Sequence, residues 1–245
     1  MTKEQEKIKK RRSAIAAILF FTLVLGTTYV LAAPTAPVSI TNDGSSRRDL
    51  SGIPDQSVEA QAGNVTALTI DALSVTRFWQ GFYGNITGTI TLDDANNNTM
   101  YNWSIATPQG EVYATRNSSV SFTSVSCANA GNITAEGTAI GQTGSEADYI
   151  SNTFNQQSHP QFSVGTTTIT ANTCNSTNTY VNDAAQSSNF YEVLLTDSAG
   201  VFIYATIIDA DTTGFDGGTY DFQMLVGEDG TDSATTPYYF YVELN

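Results

Sequence analysis

The sequence predicts an all-β protein: a two-sheet antiparallel β-sandwich, with a jelly roll as one form of it, preceded by one N-terminal hydrophobic helix. Three observations predict it. From Asn64 to Asn245 the chain is rich in Thr, Ser, Asn, Gly, Val, Ile, Phe and Tyr and poor in helix formers, a strand and turn composition. Within that stretch, short apolar runs alternate with polar residues and are parted by Gly, Asp, Asn and Ser clusters, the period-two pattern of half-buried strands. Ahead of it, a basic head precedes an uncharged run from Ala14 to Ala33.

The elements follow in chain order. Residues 1–33 read as a signal peptide or membrane anchor helix. Lys3, Lys7, Lys9, Lys10, Arg11 and Arg12 form the head, and positive charge before an apolar run stays on the cytoplasmic side of a membrane. The run of 20 residues is just long enough to span a bilayer. It also accommodates a cleavable signal whose apolar core is Ala14 to Gly26. Three fates are open: cleavage near Ala32 or Ala33, with Pro34 opposing a cut directly before it; retention as an anchor, with the membrane contacted through residues 14–33; or cleavage near Ser13 by a prepilin-type peptidase, leaving a filament helix. Each fate places residue 34 onwards outside the cell.

Residues 34–62 read as a flexible linker, because Pro34, Pro37, Pro54 and the Asn42-Asp43-Gly44-Ser45-Ser46 cluster offer no periodic apolar face. Residues 63–245 are then the β-sandwich ectodomain. Strands are expected at Val65–Thr76, Ile86–Leu92, Met100–Ile105, Glu111–Thr115, Val120–Val125 and Phe162–Ala171. Ser145-Glu146-Ala147-Asp148 resembles a capping box for one short helix, with Ile150 and Phe154 on one side at i, i+4. Phe190–Thr196 and Val201–Ile208 form a hairpin through Asp197-Ser198-Ala199-Gly200. Both alternating sets of that hairpin are apolar, which predicts a central position covered on both faces. Tyr220, Phe222, Met224 and Val226 mark a one-faced strand, and Tyr238–Leu244 another.

Charge narrows the partners. Beyond Ala33 the cations are Arg47, Arg48, Arg77 and Arg116 against 22 carboxylates, a formal charge of −18. Such a surface repels nucleic acid and anionic lipid. Cys127 and Cys174 in an oxidising compartment predict a disulfide, worth about 4 kcal/mol by loop entropy. Asn-x-Ser/Thr occurs at Asn64, Asn85, Asn97, Asn102, Asn117, Asn132 and Asn175. At Asn64, Asn85 and Asn132 the sequon sits in Gly-Asn-Val/Ile-Thr, which reads as a glycine turn opening a strand.

Two further patterns suggest binding. The loop Asp209-Ala210-Asp211-Thr212-Thr213-Gly214-Phe215-Asp216 offers oxygens at alternate positions and a glycine for a sharp turn, so Asp209, Asp211, Thr213, Asp216 and Asp221 form a candidate calcium shell. Tyr220 stands where a bidentate Glu would complete it, and an ordinary Asp- and Gly-rich turn is the simpler reading. The strand followed by D-x-D-x-T also resembles the first motif of haloacid-dehalogenase-type phosphatases, but the chain has no lysine after Lys10 and no strand–helix alternation. Phe78, Trp79, Phe82 and Tyr83, and Tyr238 to Tyr241, are candidate sugar-stacking rings or core. The sole histidine, His159, reads as a surface turn residue. No nucleophile elbow, phosphate loop or paired-histidine motif is present, so no catalytic residue and no enzyme activity is expected.

The KKRRSAIAAILFF start, the lysine-free exported part and the sequon set resemble archaeal cell-surface proteins. Archaeal pilins and archaellins are similar in outline, with a basic head, an apolar helix and a glycosylated β-sandwich; here Ser13, Pro34 and Pro37 depart from their pattern. Donor-strand filament subunits are a looser likeness, with residues 34–62 as the donor. The resemblance implies a structural or adhesive surface protein that self-associates or meets other surface proteins. The alternative is an extracellular module binding calcium or carbohydrate.

Overall fold

The computed structural model describes residues 33–230 and 235–245. The basic head and the hydrophobic run through residue 32, with its three fates, lie outside the described residues.

The strands are β1 (Trp79–Gly84), β2 (Gly88–Asp93), β3 (Thr99–Ile105), β4 (Gly110–Thr115), β5 (Ser126–Cys127), β6 (Phe162–Val164), β7 (Thr167–Ile169), β8 (Ser176–Asn178), β9 (Tyr191–Thr196), β10 (Phe202–Ile207), β11 (Thr212–Thr213), β12 (Thr219–Tyr220), β13 (Phe222–Gly227) and β14 (Tyr239–Leu244). Two helices, α1 (Ala130–Ala139) and α2 (Ile150–Thr153), lie between β5 and β6. The all-β class holds, with every strand pair antiparallel.

The arrangement is more uneven than two facing sheets. Among the described residues one sheet has six strands, in the order β14-β4-β10-β9-β5 with β8 also on β9, and four further sheets have two strands each. The central sheet is covered on both faces. On one side Val112, Ala114, Leu194 and Tyr204 pack against Met224 and Val226 of β13, Ile133 of α1, and Ile150 and Phe154 around α2. On the other, Tyr113, Val193, Leu195, Ile203 and Ala205 meet Val125, Phe162, Val164, Ile169 and Cys174. The doubly apolar β9–β10 hairpin is therefore central, as its sequence requires. Asp197 shapes its turn by accepting from Ala199 N at 2.8 Å and Val201 N at 2.9 Å, and Gly200 takes φ +82°. Side chains tie the β1–β13 ribbon to this sheet: Leu225 N donates to Glu192, and Thr206 Oγ1 donates to the Gln223 carbonyl.

Five expectations are corrected. Residues 65–76 form no strand; Val65, Leu68 and Ile70 are exposed, because their spacing does not alternate and no sheet edge receives them. The linker begins with a contact instead, since Thr35 exchanges two backbone hydrogen bonds with Val242 on the outer edge of β14, at 3.0 and 2.9 Å. Residues 120–125 are not a strand but a turn-containing stretch whose Val125 enters the core. Gly131-Asn132-Ile133-Thr134 opens no strand. It lies in α1, capped reciprocally by Asn129 and Asn132, with Ile133, Glu136 and Gly137 on the buried side. Glu146 does not cap a helix; its carboxylate accepts from Thr143 N, Thr143 Oγ1 and Gly144 N, which pulls its pKa down to about 2. The helix starts later, and Ile150 and Phe154 are fully buried on one side as their spacing demands.

Candidate functional site

The sequon asparagines divide by what their amides already do. Asn64, Asn85, Asn97 and Asn117 lie exposed in loops and turns, and Asn102 is exposed within β3. Asn132 is half-buried, and its Oδ1 is committed to the α1 cap by accepting from Asn129 N. Asn175 is half-buried as well, and its Nδ2, the atom a glycan would occupy, donates to the Phe154 carbonyl at 2.9 Å.

Three of the exposed sites surround one element. Among the described residues β2 and β3 pair only with each other, in the register Ile90↔Trp103, Thr91↔Asn102 and Leu92↔Tyr101. Directly paired residues share a face. Ile90, Leu92, Tyr101 and Trp103 therefore occupy one face, and Thr89, Thr91, Asn102 and Ser104 the other. The tip turn carries Asn97 at φ +64° and is held by Asp94, which accepts from Asn96 N and Asn98 N. Asn85 lies just before the base, where Ile86 packs onto the main core.

Cys127 of β5 and Cys174 stand at disulfide distance, with Sγ–Sγ 1.96 Å, joining the sheet's edge to the stretch before β8. His159 is not on the surface. It is fully buried beside that link, its Nδ1 on the Pro160 carbonyl at 2.8 Å, its Nε2 accepting from Thr173 N and Cys174 N at 3.2 and 3.0 Å. Burial lowers its pKa against the pull of the Pro160 contact.

The acidic loop turns its oxygens onto the protein. Asp209 accepts from Phe190 N, and Asp221 from Ile86 N at 2.7 Å and Asp211 N at 2.9 Å. Asp216 accepts from Gly218 N and the Tyr220 hydroxyl, and Thr213 pairs with Thr219 in the β11–β12 ladder. Among the described residues no three His, Cys, Asp or Glu side chains are grouped to hold a metal ion. Asp211 takes φ +54°, the left-handed conformation that Asn and Asp tolerate in turns. The aromatic cluster is mostly core. Phe78 is buried, the Trp79 indole donates to the Asp148 carbonyl at 2.7 Å and packs on Phe154 and Tyr204, and Phe82 meets Phe240 edge-on. Tyr83 alone of the four is exposed, beside Phe215 and Tyr220. Of the second run, Tyr239 is exposed while the Tyr238 and Tyr241 hydroxyls donate to the Gly227 and Ser118 carbonyls.

The sequence reading missed two polar features. An open groove of about 540 Å³ lies beside α1, where the Glu136 carboxylate accepts from Arg116 and, at 3.1 Å, from the Tyr204 hydroxyl. Asn117 and Asn132 both line it. Deeper, Glu111 and Glu243 sit directly opposite each other across β4 and β14, both buried. Glu243 accepts from Gly165 N and the Tyr113 hydroxyl, whereas Glu111 Oε2 has no partner. Desolvation, then the charge of Glu243, pushes the Glu111 pKa up to about 8. Burial likewise raises Glu192, whose Oε1 is also without a partner. Strand alternation signals these glutamates only as apolar-face positions occupied by acid. No family model, curated protein or solved structure matches the chain.

Proposed function

We propose that the chain is an exported, N-glycosylated structural or adhesive protein of the cell surface, of archaeal type, and a subunit of a filament or envelope layer. The observation that carries this reading is the placement of the sequons: five of the seven asparagines are exposed, and three of those five flank or sit on one projecting ribbon. A surface position and an exported chain are what glycan addition requires. The cysteine pair at disulfide distance and the basic head before an apolar run agree with an oxidising destination. The two-sheet sandwich form belongs to the same reading, with the central sheet as one layer and the β1–β13 ribbon as the start of the other.

The test is glycopeptide mass spectrometry of protein recovered from the cell surface, with its N-terminus sequenced and the same material imaged by electron microscopy. Glycan is expected on Asn64, Asn85, Asn97, Asn102 and Asn117, and none on Asn175. Ordered filaments or a lattice containing the chain are the expected image. An unmodified mass in material confined to the cytoplasmic fraction would overturn the proposal.

A further inference from the structure

The β2–β3 ribbon is built as though half of it were missing. A two-stranded ribbon is marginal in water on its own and needs a third strand or an apolar cover. Among the described residues no other strand pairs with it. Its base alone is anchored, where Gly88 leaves room for Leu244 and Ile105; a Cβ there would lie 2.6 Å from Leu244 Cδ1. Beyond the base Ile90 is 57 % exposed, Leu92 50 %, Tyr101 59 % and Trp103 50 %, all on one face. The Tyr101 and Trp103 rings touch, with centroids 4.9 Å apart, so the patch is continuous along β3. The sequon Asn102-Trp103-Ser104 lies within a strand, so its asparagine and serine share the polar face while its tryptophan sits on the apolar one. A glycan on Asn102 thus leaves from the back of the ribbon.

We infer that this apolar face is a self-association surface, on which a second copy of the chain lays its own ribbon face to face about a two-fold axis. The inference deepens the building-block reading and rests on it for its setting. Three observations select a second copy as the occupant. The first is area: the four exposed side chains leave a patch on the order of 500 Å², the size of a monomer's largest apolar patch, which is often functional. Two such patches together bury on the order of 1,000 Å², where specific interfaces begin. The second is charge. The part of the chain beyond Ala33 carries −18, yet residues 88–105 hold only Asp93 and Asp94, both at the tip. A two-fold axis across the ribbon sends the two tips to opposite ends, roughly 20 Å apart for strands of this length and beyond the screening length of about 8 Å at physiological salt. The third is shape. Two flat, uncharged faces pack as sheets do, about 10 Å apart, and give the four-stranded unit that one ribbon lacks. The glycans on Asn102 then lie on the two outer faces of that unit.

The experiment uses the full chain in mild detergent, at concentrations from about 1 to 50 µM, by light scattering and by cross-linking. Wild type is expected to be a dimer at the upper end. Ile90→Glu with Trp103→Glu is expected to raise the dimer dissociation constant at least 100-fold while leaving the circular dichroism spectrum unchanged, and Trp103→Glu keeps the sequon intact. Variants with one added cysteine, beside the paired Cys127 and Cys174, separate the faces without adding charge. Ile90→Cys is expected to give dimers with a short bismaleimide, and Thr89→Cys on the opposite face is not. A wild-type chain that stays monomeric throughout would overturn the inference, as would a dimer that survives the double substitution and fails to cross-link through Ile90→Cys. Ribbon-dependent binding of a monomeric chain to neutral phospholipid vesicles would overturn it in favour of a membrane contact. The wider reading fails separately: ordered surface assemblies whose chains do not cross-link through Ile90→Cys would sink the ribbon contact alone, whereas unglycosylated cytoplasmic protein would sink the reading beneath it.

Discussion

His159 and Glu111 show how a single buried group sets the response to pH. Nε2 of His159 is the acceptor for two backbone N–H groups next to Cys174, so the neutral ring is the one the fold uses. Its folded-state pKa lies below its ordinary value of 6.5. Its contribution is therefore present above about pH 6.5 and is lost as pH falls through the folded-state value. His159→Ala should cost about 2 kcal/mol in urea unfolding at pH 7, since two donors lose their acceptor. The variant should also lose part of the stability drop expected of wild type between pH 7 and 5. Glu111 acts with the opposite sign. Its pKa is raised from 4.5 to about 8, so the folded state holds a proton that the unfolded state has released. That contribution is full below pH 4.5 and lost as pH rises through 8. Glu111→Gln keeps a neutral polar group and should stabilise the protein at pH 8.5 by about 1–3 kcal/mol, with little change at pH 5. Thermal or urea unfolding across that range reads both signs. His159 was illegible in the sequence because a histidine among amides before a proline looks like a turn, and its burial depends on a chain stretch that returns 14 residues later.

At the scale of elements, legibility followed the strength of the local pattern. β9 and β10 could be read with their burial because both faces are apolar, and a central strand is the one place where that arrangement is stable. β6 and β7 were read as one strand because the run from Phe162 to Ala171 is broken only by Gly165, which takes φ +55° and turns the chain back. α1 was hidden for a different reason. Asn129 to Asn132 has turn residues, but their side chains satisfy the first helical N–H groups. Asn129→Ala should destabilise the protein by about 1 kcal/mol, measured by urea unfolding, and Asn129→Asp by less. Gly137→Ala tests the packing of the same helix, because a Cβ there would stand 2.8 Å from the Tyr149 ring. The acidic loop was legible as a turn, but its role as acceptor for Phe190, Ile86 and Asp211 was not, since Phe190 and Ile86 lie outside the loop, the latter 135 residues before Asp221.

At the scale of the whole molecule, the Cys127–Cys174 pair with its sequence separation of 47 ties down one of the covers over the central sheet. Cys127→Ala with Cys174→Ala should lower stability by about 2–4 kcal/mol. The unfolding midpoint of the variant in urea, beside reduced wild type, gives the figure. The way the chain joins this sheet has a mechanical consequence. A pull on residue 33 enters through Thr35, whose two hydrogen bonds sit on the outermost strand and peel apart one after the other. Beyond them residues 36–75 form no strand, and β1 begins at Trp79. Fully extended, that length spans on the order of 130 Å. Under tension the protein is a stiff plate held at its rim by one residue pair, and the first event in a stretching trace is a low-force release there.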